Sequence, residues 1–351
     1  MSDVAMNDLS ETPVRTRATD AKTVLAVEDL CTDFRTKAGS VRAVDGVSFE
    51  LKAGEILAIV GESGSGKSVT SLSIMGLIPE PPGRIAGGRV FFDGQDLTKL
   101  TDRQLQKLRG SSLSMIFQEP MTSLNPVLSI GRQMTEGIRQ HLGMSADQAR
   151  RHAVEMMRRV SIPAPEHRLK EYPHQFSGGM LQRIMIAIAM SCNPKVLIAD
   201  EPTTALDVTI QAQILELMQE LRDMTGAAIM LITHDMGVVA ETADRVIVMY
   251  AGQKIEEGSV EEVFRAPRHP YTLGLLGALP RLGQAGAVGD TELNEIPGVV
   301  PPLTDLPPGC RFSDRCSYAT DKCRAETPPL ETKRPGHIAA CWHSDELESP
   351  T

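Results

Sequence analysis

Residues 61–68 read Gly-Glu-Ser-Gly-Ser-Gly-Lys-Ser. This is the G-x-x-x-x-G-K-[ST] spacing that lets a glycine-rich turn wrap an anion with its backbone N–H groups. Gly61, Gly64 and Gly66 allow the backbone close to phosphate oxygens. Lys67 has the reach for β- and γ-phosphates, and Ser68 offers a hydroxyl to Mg²⁺. The candidate nucleotide-binding set is therefore Gly61, Ser63, Gly64, Ser65, Gly66, Lys67, Ser68 and Val69. A second carboxylate-bearing element follows at 196–201, Val-Leu-Ile-Ala-Asp-Glu. Asp200, at the end of an apolar strand beside a phosphate loop, would bind Mg²⁺ directly or through water. Glu201 would polarise an attacking water. An Asp-Glu pair could also be a helix cap followed by a solvated acid. The phosphate loop favours the chemical reading.

Residues 176–183 read Phe-Ser-Gly-Gly-Met-Leu-Gln-Arg and open a strongly helical stretch, Leu181 to Ser191. Ser177, Gly178 and Gly179 thus form another helix-N-terminus anion site. An ordinary Ser-Gly-Gly helix start is the alternative. Two phosphate-binding loops about 110 residues apart in one chain suggest two chains arranged head to tail, each lending one loop to each nucleotide.

The elements that must position these residues alternate. Val24 to Phe34 and Val41 to Leu51 read as strands, and Ile56 to Val60 as a buried parallel strand feeding the phosphate loop. A helix is expected from Lys67 to Leu77, then a loop over Pro79 to Gly88, then strands at Arg89 to Phe92 and Leu113 to Phe117. From about Met121 to Asn193 helical patterns replace strand signals, as in Ala146 to Val160. Val196 to Ala199 and Ala228 to Thr233 resume the buried-strand pattern around a helix at Thr209 to Met224. That β–α–β order predicts an α/β fold with a parallel sheet. Arg245 to Glu257 reads as a hairpin turning near Ala251-Gly252, and after Pro267 the prolines multiply into a loop-rich appendage.

With 351 residues, 41% of them hydrophobic, the chain can build a core and an appendage. A net charge of −9 argues against a broad basic face for nucleic acid. No apolar run approaches the roughly 18–20 residues that span a bilayer. The first 23 residues lack an apolar signal core and read as a mobile tail. Spanning helices, if the chain works at a membrane, must come from other chains.

At this point the chain resembles the ABC ATPases, whose signature is usually Leu-Ser-Gly-Gly-Gln. Phe176 and Met180 depart from that form, while Ser-Gly-Gly is intact. The resemblance covers roughly residues 24–265. It implies a P-loop NTPase fold: a RecA-like parallel sheet core, an antiparallel β subdomain and an α-helical insertion at about 121–193. Residues 266–351 follow as a small loop-rich C-terminal extension. By the same resemblance Gln118 reaches Mg²⁺ and water and couples to membrane subunits. Ala205-Leu206-Asp207 passes between two ATPase subunits, and His234 contacts the γ-phosphate. Phe34 is the candidate for stacking on adenine, with Val41 and plain core packing of Phe34 left open.

Residues 118–126, Gln-Glu-Pro-Met-Thr-Ser-Leu-Asn-Pro, and 268–279, Arg-His-Pro-Tyr-Thr-Leu-Gly-Leu-Leu-Gly-Ala-Leu, resemble the oligopeptide/dipeptide/nickel importer branch. The resemblance implies an ATP- and Mg²⁺-dependent subunit that powers peptide import. Its partners would be a related but distinct second ATPase, two transmembrane permeases and, indirectly, an extracytoplasmic substrate-binding protein. It would sit peripherally on the cytoplasmic face of the cell membrane, with no nucleic acid partner. Nickel, glutathione or sugar import, and a soluble non-transport ABC ATPase, are the alternative readings.

Cys310, Cys316, Cys323 and Cys341 have the spacing C-x5-C-x6-C-x17-C. Four thiolates can hold a 4Fe–4S cluster or a tetrahedral zinc, and buried reduced thiols are the third option. Similar cysteines occur in extensions of this importer family, which places 4Fe–4S ahead of zinc. His337 and His343 are possible substitute ligands, with exposed histidines the plainer expectation. Cys31 and Cys192 read as core residues.

Overall fold

The computed structural model describes residues 21–37, 39–204, 207–279 and 296–347. The expected tail over 1–23 therefore lies almost wholly outside the described residues, as do Ala205 and Leu206.

Strands β1 (Thr23–Thr36) and β2 (Gly39–Lys52) alternate buried and exposed positions, so they form a sheet with one face covered. They pair antiparallel, with Leu25 opposite Leu51 and Phe34 opposite Val41. Strand β3 (Ile56–Val60) is buried at all five positions, as a strand covered on both faces must be. Each fully buried Leu or Ile there contributes roughly 2 kcal/mol. The helix Lys67–Ile74 follows.

Strand β4 (Gly83–Phe92) corrects the expectation of a loop over Pro79 to Gly88. Pro and Gly suggested a loop, but Gly83, Arg84 and Ile85 face Phe34, Asp33 and Thr32 across the β1 ladder. Glycine is needed there because a Cβ on Gly83 would lie 2.4 Å from Ile78 Cγ2 and 2.8 Å from the Phe34 ring. With the short β5 (Gln95–Asp96), these strands make an antiparallel sheet of order β2-β1-β4-β5.

Strand β6 (Leu113–Ile116) opens the second sheet. From there to β7 (Val196–Asp200) the regular elements are helices, chiefly Ile130–Leu142, Ala146–Arg159 and Gly178–Met190. Ser145 and Gln148 form a capping box on the second, which fixes its start. The helix Val208–Thr225 joins β7 to β8 (Ala228–Thr233), and β9 (Arg245–Tyr250) turns through Ala251 and Gly252 into β10 (Gln253–Ser259). Both turn residues have positive φ, 45° and 86°, as a tight hairpin turn demands.

The second sheet runs β6-β7-β8-β3-β9 in parallel, and β10 adds antiparallel to β9. The C-terminal region then extends it with the hairpin β11 (Glu331–Arg334) and β12 (His337–Ala339), β12 pairing with β10. The region after Pro267 thus joins the central sheet. His337 lies under that junction, fully buried, with Nε2 2.7 Å from Glu256 Oε1; the expectation of an exposed histidine does not hold.

Apolar side chains fill both faces of the parallel sheet. Helix residues such as Ile138, Met157 and Ile184 pack with Leu231 on one face, and Leu25, Val47 and Phe92 of the antiparallel sheet pack with Ile59 and Ile232 on the other. A third core of Val60, Tyr250, Tyr271 and Phe312 sits beneath the C-terminal region.

Candidate functional site

Parallel strands place all their C-terminal ends on one sheet edge, where ligands of α/β proteins bind. The loops leaving β3, β6, β7 and β8 there carry the phosphate loop, Gln118, Glu201 and His234 in turn.

The phosphate loop is pinned from beneath. Gly61 has φ +148°, and a Cβ on it would stand 2.3 Å from the Met249 carbonyl oxygen, so only glycine fits. Gly66 precedes the helix Lys67–Ile74 at φ 99°. Lys67 is buried, and its Nζ donates to the carbonyls of Gly61 at 2.7 Å and Glu62 at 2.9 Å. Burial lowers the pKa of its ammonium, opposed by the charges of Glu201, Asp200 and Glu62. Ser68 Oγ donates to Asp200 Oδ1 at 3.0 Å. Burial raises the pKa of Asp200, and the Ser68 hydrogen bond works against that rise. A hydroxyl and a desolvated carboxylate joined in this way are hard oxygen donors suited to Mg²⁺.

Glu201 leaves β7 with φ 46°, a left-handed backbone that costs a non-glycine residue about 1 kcal/mol. Its N–H donates to Ile232 O at 2.9 Å, which fixes the turn. The carboxylate accepts from Gln118 Nε2 at 3.0 Å and from Thr204 Oγ1 at 2.8 Å, and His234 Nδ1 lies 3.5 Å away. The structure therefore brings Lys67, Ser68, Asp200, Glu201, Gln118 and His234 to one edge. Thr204 was missed; only its position three residues after Glu201 hinted at it.

Ser177 caps the helix Gly178–Met190, with Oγ accepting from Met180 N at 3.4 Å. Gly179 faces Ile210, where an added Cβ would meet Cγ2 at 3.1 Å. Asp207 caps the helix Val208–Thr225 through Ile210 N at 3.0 Å. Among the described residues, no hydrogen bond or ion pair joins the Ser177 turn to the Lys67 loop of the same chain. Phe34 is half-buried, paired with Val41 and packed over Gly83.

All four C-terminal cysteines are free thiols, Cys323 and Cys341 buried. Burial pushes the Cys316 and Cys341 thiols up to about 11 and about 12, with neighbouring cysteines adding to the rise, and burial also raises Cys310. The thiolate is the metal-binding form, so this setting favours protonated sulfur. Among the described residues no three Cys, His, Asp or Glu side chains gather as a metal donor set. The 4Fe–4S and zinc expectations are therefore not supported. His343 bonds Glu346 and Thr320, and His337 is taken by Glu256. Cys192 is core, as expected, while Cys31 is half-buried and accepts from Gly46 N.

A sequence profile described as "ABC transporter" matches residues 44–204, and one described as "Oligopeptide/dipeptide transporter, C-terminal region" matches residues 255–323. The chain is 53% identical to the oligopeptide transport ATP-binding protein AppD of Bacillus subtilis (strain 168), over 92% of this chain and 98% of that protein. It is 52% identical to the dipeptide transport ATP-binding protein DppD of the same organism, over 92% and 95%. Among solved structures it is similar to the dimeric ATP-binding cassette MJ0796 bound to ADP and Pi. The TM-score is 0.61 at 27% identity, covering 67% of this chain and 98% of that one. It is also similar to cbiO1 from Clostridium perfringens, with a TM-score of 0.58 at 30% identity, covering 69% and 90%.

Proposed function

The chain belongs to the ABC transporter ATP-binding family, and from that premise we propose that it binds and hydrolyses ATP to drive peptide import through membrane permeases. The observation that carries the ATPase reading is the gathering of Gln118, Thr204 and His234 on the Glu201 carboxylate beside the Ser68–Asp200 pair and buried Lys67. Peptide as cargo rests on relatives that match nearly end to end and carry peptide transport in their names, and on the matching C-terminal region.

In this reading the N–H groups of residues 63–69 cradle the phosphates. Lys67 turns its ammonium from loop carbonyls to β- and γ-phosphate oxygens. Ser68, Asp200 and Gln118 would hold Mg²⁺, which would supply charge neutralisation on the phosphate oxygens. Glu201 accepts a proton from the attacking water, and His234 donates a hydrogen bond toward the γ-phosphate. Ser177, Gly178 and Gly179 of this chain close over the triphosphate held on the phosphate loop of a second, related ATPase chain, with Asp207 near the seam. Phe34 is the candidate adenine contact.

Among the described residues no helix is long and apolar enough to cross a membrane. A cavity of about 330 Å³ lies between the sheet and the helical region, lined by Phe117, Leu124, Met134 and Met185 among others. Phe117, Met121 and Val127 are exposed beside it, a surface suited to a helix of a permease at the cytoplasmic face. A substrate-binding protein outside the membrane completes the system.

The narrower 4Fe–4S reading stays in the proposal on one support. That support is the C-x5-C-x6-C-x17-C spacing of Cys310, Cys316, Cys323 and Cys341 in the sequence. Anaerobic iron and sulfide assays test it; iron-free, colourless protein removes it.

Glu201→Gln tests the ATPase reading. Turnover is expected to fall at least about a hundredfold, the size of a lost general base, while MgATP traps a dimer visible by size exclusion. Hydrolysis at the parental rate would overturn Glu201 as the base.

A further inference from the structure

Two side chains of the C-terminal region end on Glu62, the second residue of the phosphate loop. Tyr271, fully buried, accepts the Glu62 N–H at 2.7 Å. Arg315 grips the Glu62 carboxylate with both prongs, Nη1 to Oε2 at 2.7 Å and Nη2 to Oε1 at 3.0 Å. The guanidinium is held in turn: its Nε donates to Pro297 O at 2.8 Å, and it lies 5.8 Å and 5.9 Å from the Tyr250 and Phe312 ring centres. Nearby, Arg311 donates to Asp45 and to the Ala251 carbonyl. The next residue, Gly252, donates its N–H to Ser65 O at 2.9 Å, so this contact too steadies the loop.

The charge pattern gives the grip a purpose. Glu62 places a carboxylate beside a loop that must accept a polyanion, and its charge is felt at Lys67. A bidentate arginine cancels that charge and fixes the side chain, where a point charge would only cancel it. With the Glu62 N–H taken by Tyr271, the first bend of the loop is set before nucleotide arrives, which lowers the ordering cost of binding.

We infer that Arg315, with Tyr271, is a positioning residue of the nucleotide site, through which the C-terminal region sets affinity for MgATP by neutralising and anchoring Glu62. This deepens, and rests on, the nucleotide reading above.

The test is MgATP titration of the full chain in four forms: unsubstituted, Arg315→Gln, Glu62→Gln and the double variant. Arg315→Gln is expected to weaken binding about tenfold by leaving Glu62 uncompensated, and Glu62→Gln in the same chain to restore most of that loss. A purely structural ion pair predicts the reverse, with the double variant no better than Arg315→Gln. That outcome, or unchanged affinity in Arg315→Gln, overturns the inference. Should Arg315→Gln not fold, Arg315→Lys keeps the charge without the fork; about threefold weaker binding supports the grip and none overturns it. If the unsubstituted chain binds no MgATP, the nucleotide reading itself fails and the inference falls with it.

Discussion

Gln118 donates through Nε2 to Glu201 Oε2 at 3.0 Å, bridging the ends of two adjacent strands that lie 83 residues apart in sequence. The whole helical region is inserted between those strand ends. The carboxylate read as the general base is thus tied to the segment that leads into the helices and to the exposed apolar surface at Phe117 and Met121. A shift of that segment moves a hydrogen bond on Glu201 directly. Under the proposed function this would link a docked permease to the carboxylate proposed as the general base.

Gln118→Ala removes the link without touching the phosphate loop. MgATP affinity is expected to stay within about threefold while the maximal rate falls about tenfold, the cost of about one misplaced catalytic contact. Steady-state kinetics would show a kcat loss with little change in KM. An equal loss carried in KM would confine Gln118 to its proposed Mg²⁺ contact and overturn the link to Glu201.

Gly61→Ala probes the floor of the loop. The added Cβ meets a backbone carbonyl at 2.3 Å, and backbone cannot move aside as a flexible side chain can. Nucleotide binding should be lost, and thermal stability lowered by at least about 2 kcal/mol, in the range of overpacking penalties. Ala at Gly64, where nothing lies within 4 Å, should cost less, mainly through its φ of +81°. Similar melting temperatures for the two variants would contradict the steric account.

The strands that build the site were legible because their signals are local. Ile56–Val60, Val196–Asp200 and Ala228–Thr233 are short apolar runs, each followed directly by a candidate site residue, Gly61, Glu201 and His234. The hairpin turn at Ala251 and Gly252 was equally readable. What escaped was tertiary. Gly83, Ile85 and Gly87 look like loop until β1 supplies the ladder. Strand β12 is three residues long and finds its partner in β10, with Ile338 opposite Glu257 81 residues upstream. Arg315 carries no motif, and its contact with Glu62 spans 253 residues. The four cysteines show the opposite limit: their spacing was plain, yet spacing alone does not fix whether sulfurs gather around a metal.

The buried His337–Glu256 pair joins the C-terminal hairpin to the central sheet. Glu256 Oε1 also accepts the Arg268 N–H at 2.6 Å, while among the described residues its Oε2 and His337 Nδ1 have no partner. His337→Leu leaves a carboxylate buried with one partner fewer. A loss of about 3 kcal/mol is expected, the usual cost of breaking a buried pair from one side. Denaturant melts would show it as a lower midpoint. Glu256→Gln with His337→Leu should recover part of the loss, and no recovery would argue that shape rather than charge dominates the site.

His269 ties pH to the contact that reaches the phosphate loop. Its ring is buried, its Nδ1 accepts the Tyr271 N–H at 3.1 Å, and burial pushes its pKa down to about 3. In the unfolded chain the ring takes a proton near its ordinary value of about 6.5. Below that pH the unfolded state binds the proton and the folded state does not. Stability from this group is therefore complete above about 6.5 and is lost as pH falls toward 3. The slope is roughly 1.4 kcal/mol per pH unit in that window. Asn at 269 can accept the same N–H and does not titrate. His269→Asn should therefore flatten the fall in melting temperature between pH 6.5 and 4.5, and with it the loss of MgATP affinity if Tyr271 holds Glu62 as described. A parallel fall in both proteins would show that other groups, carboxylates among them, govern the acid limb.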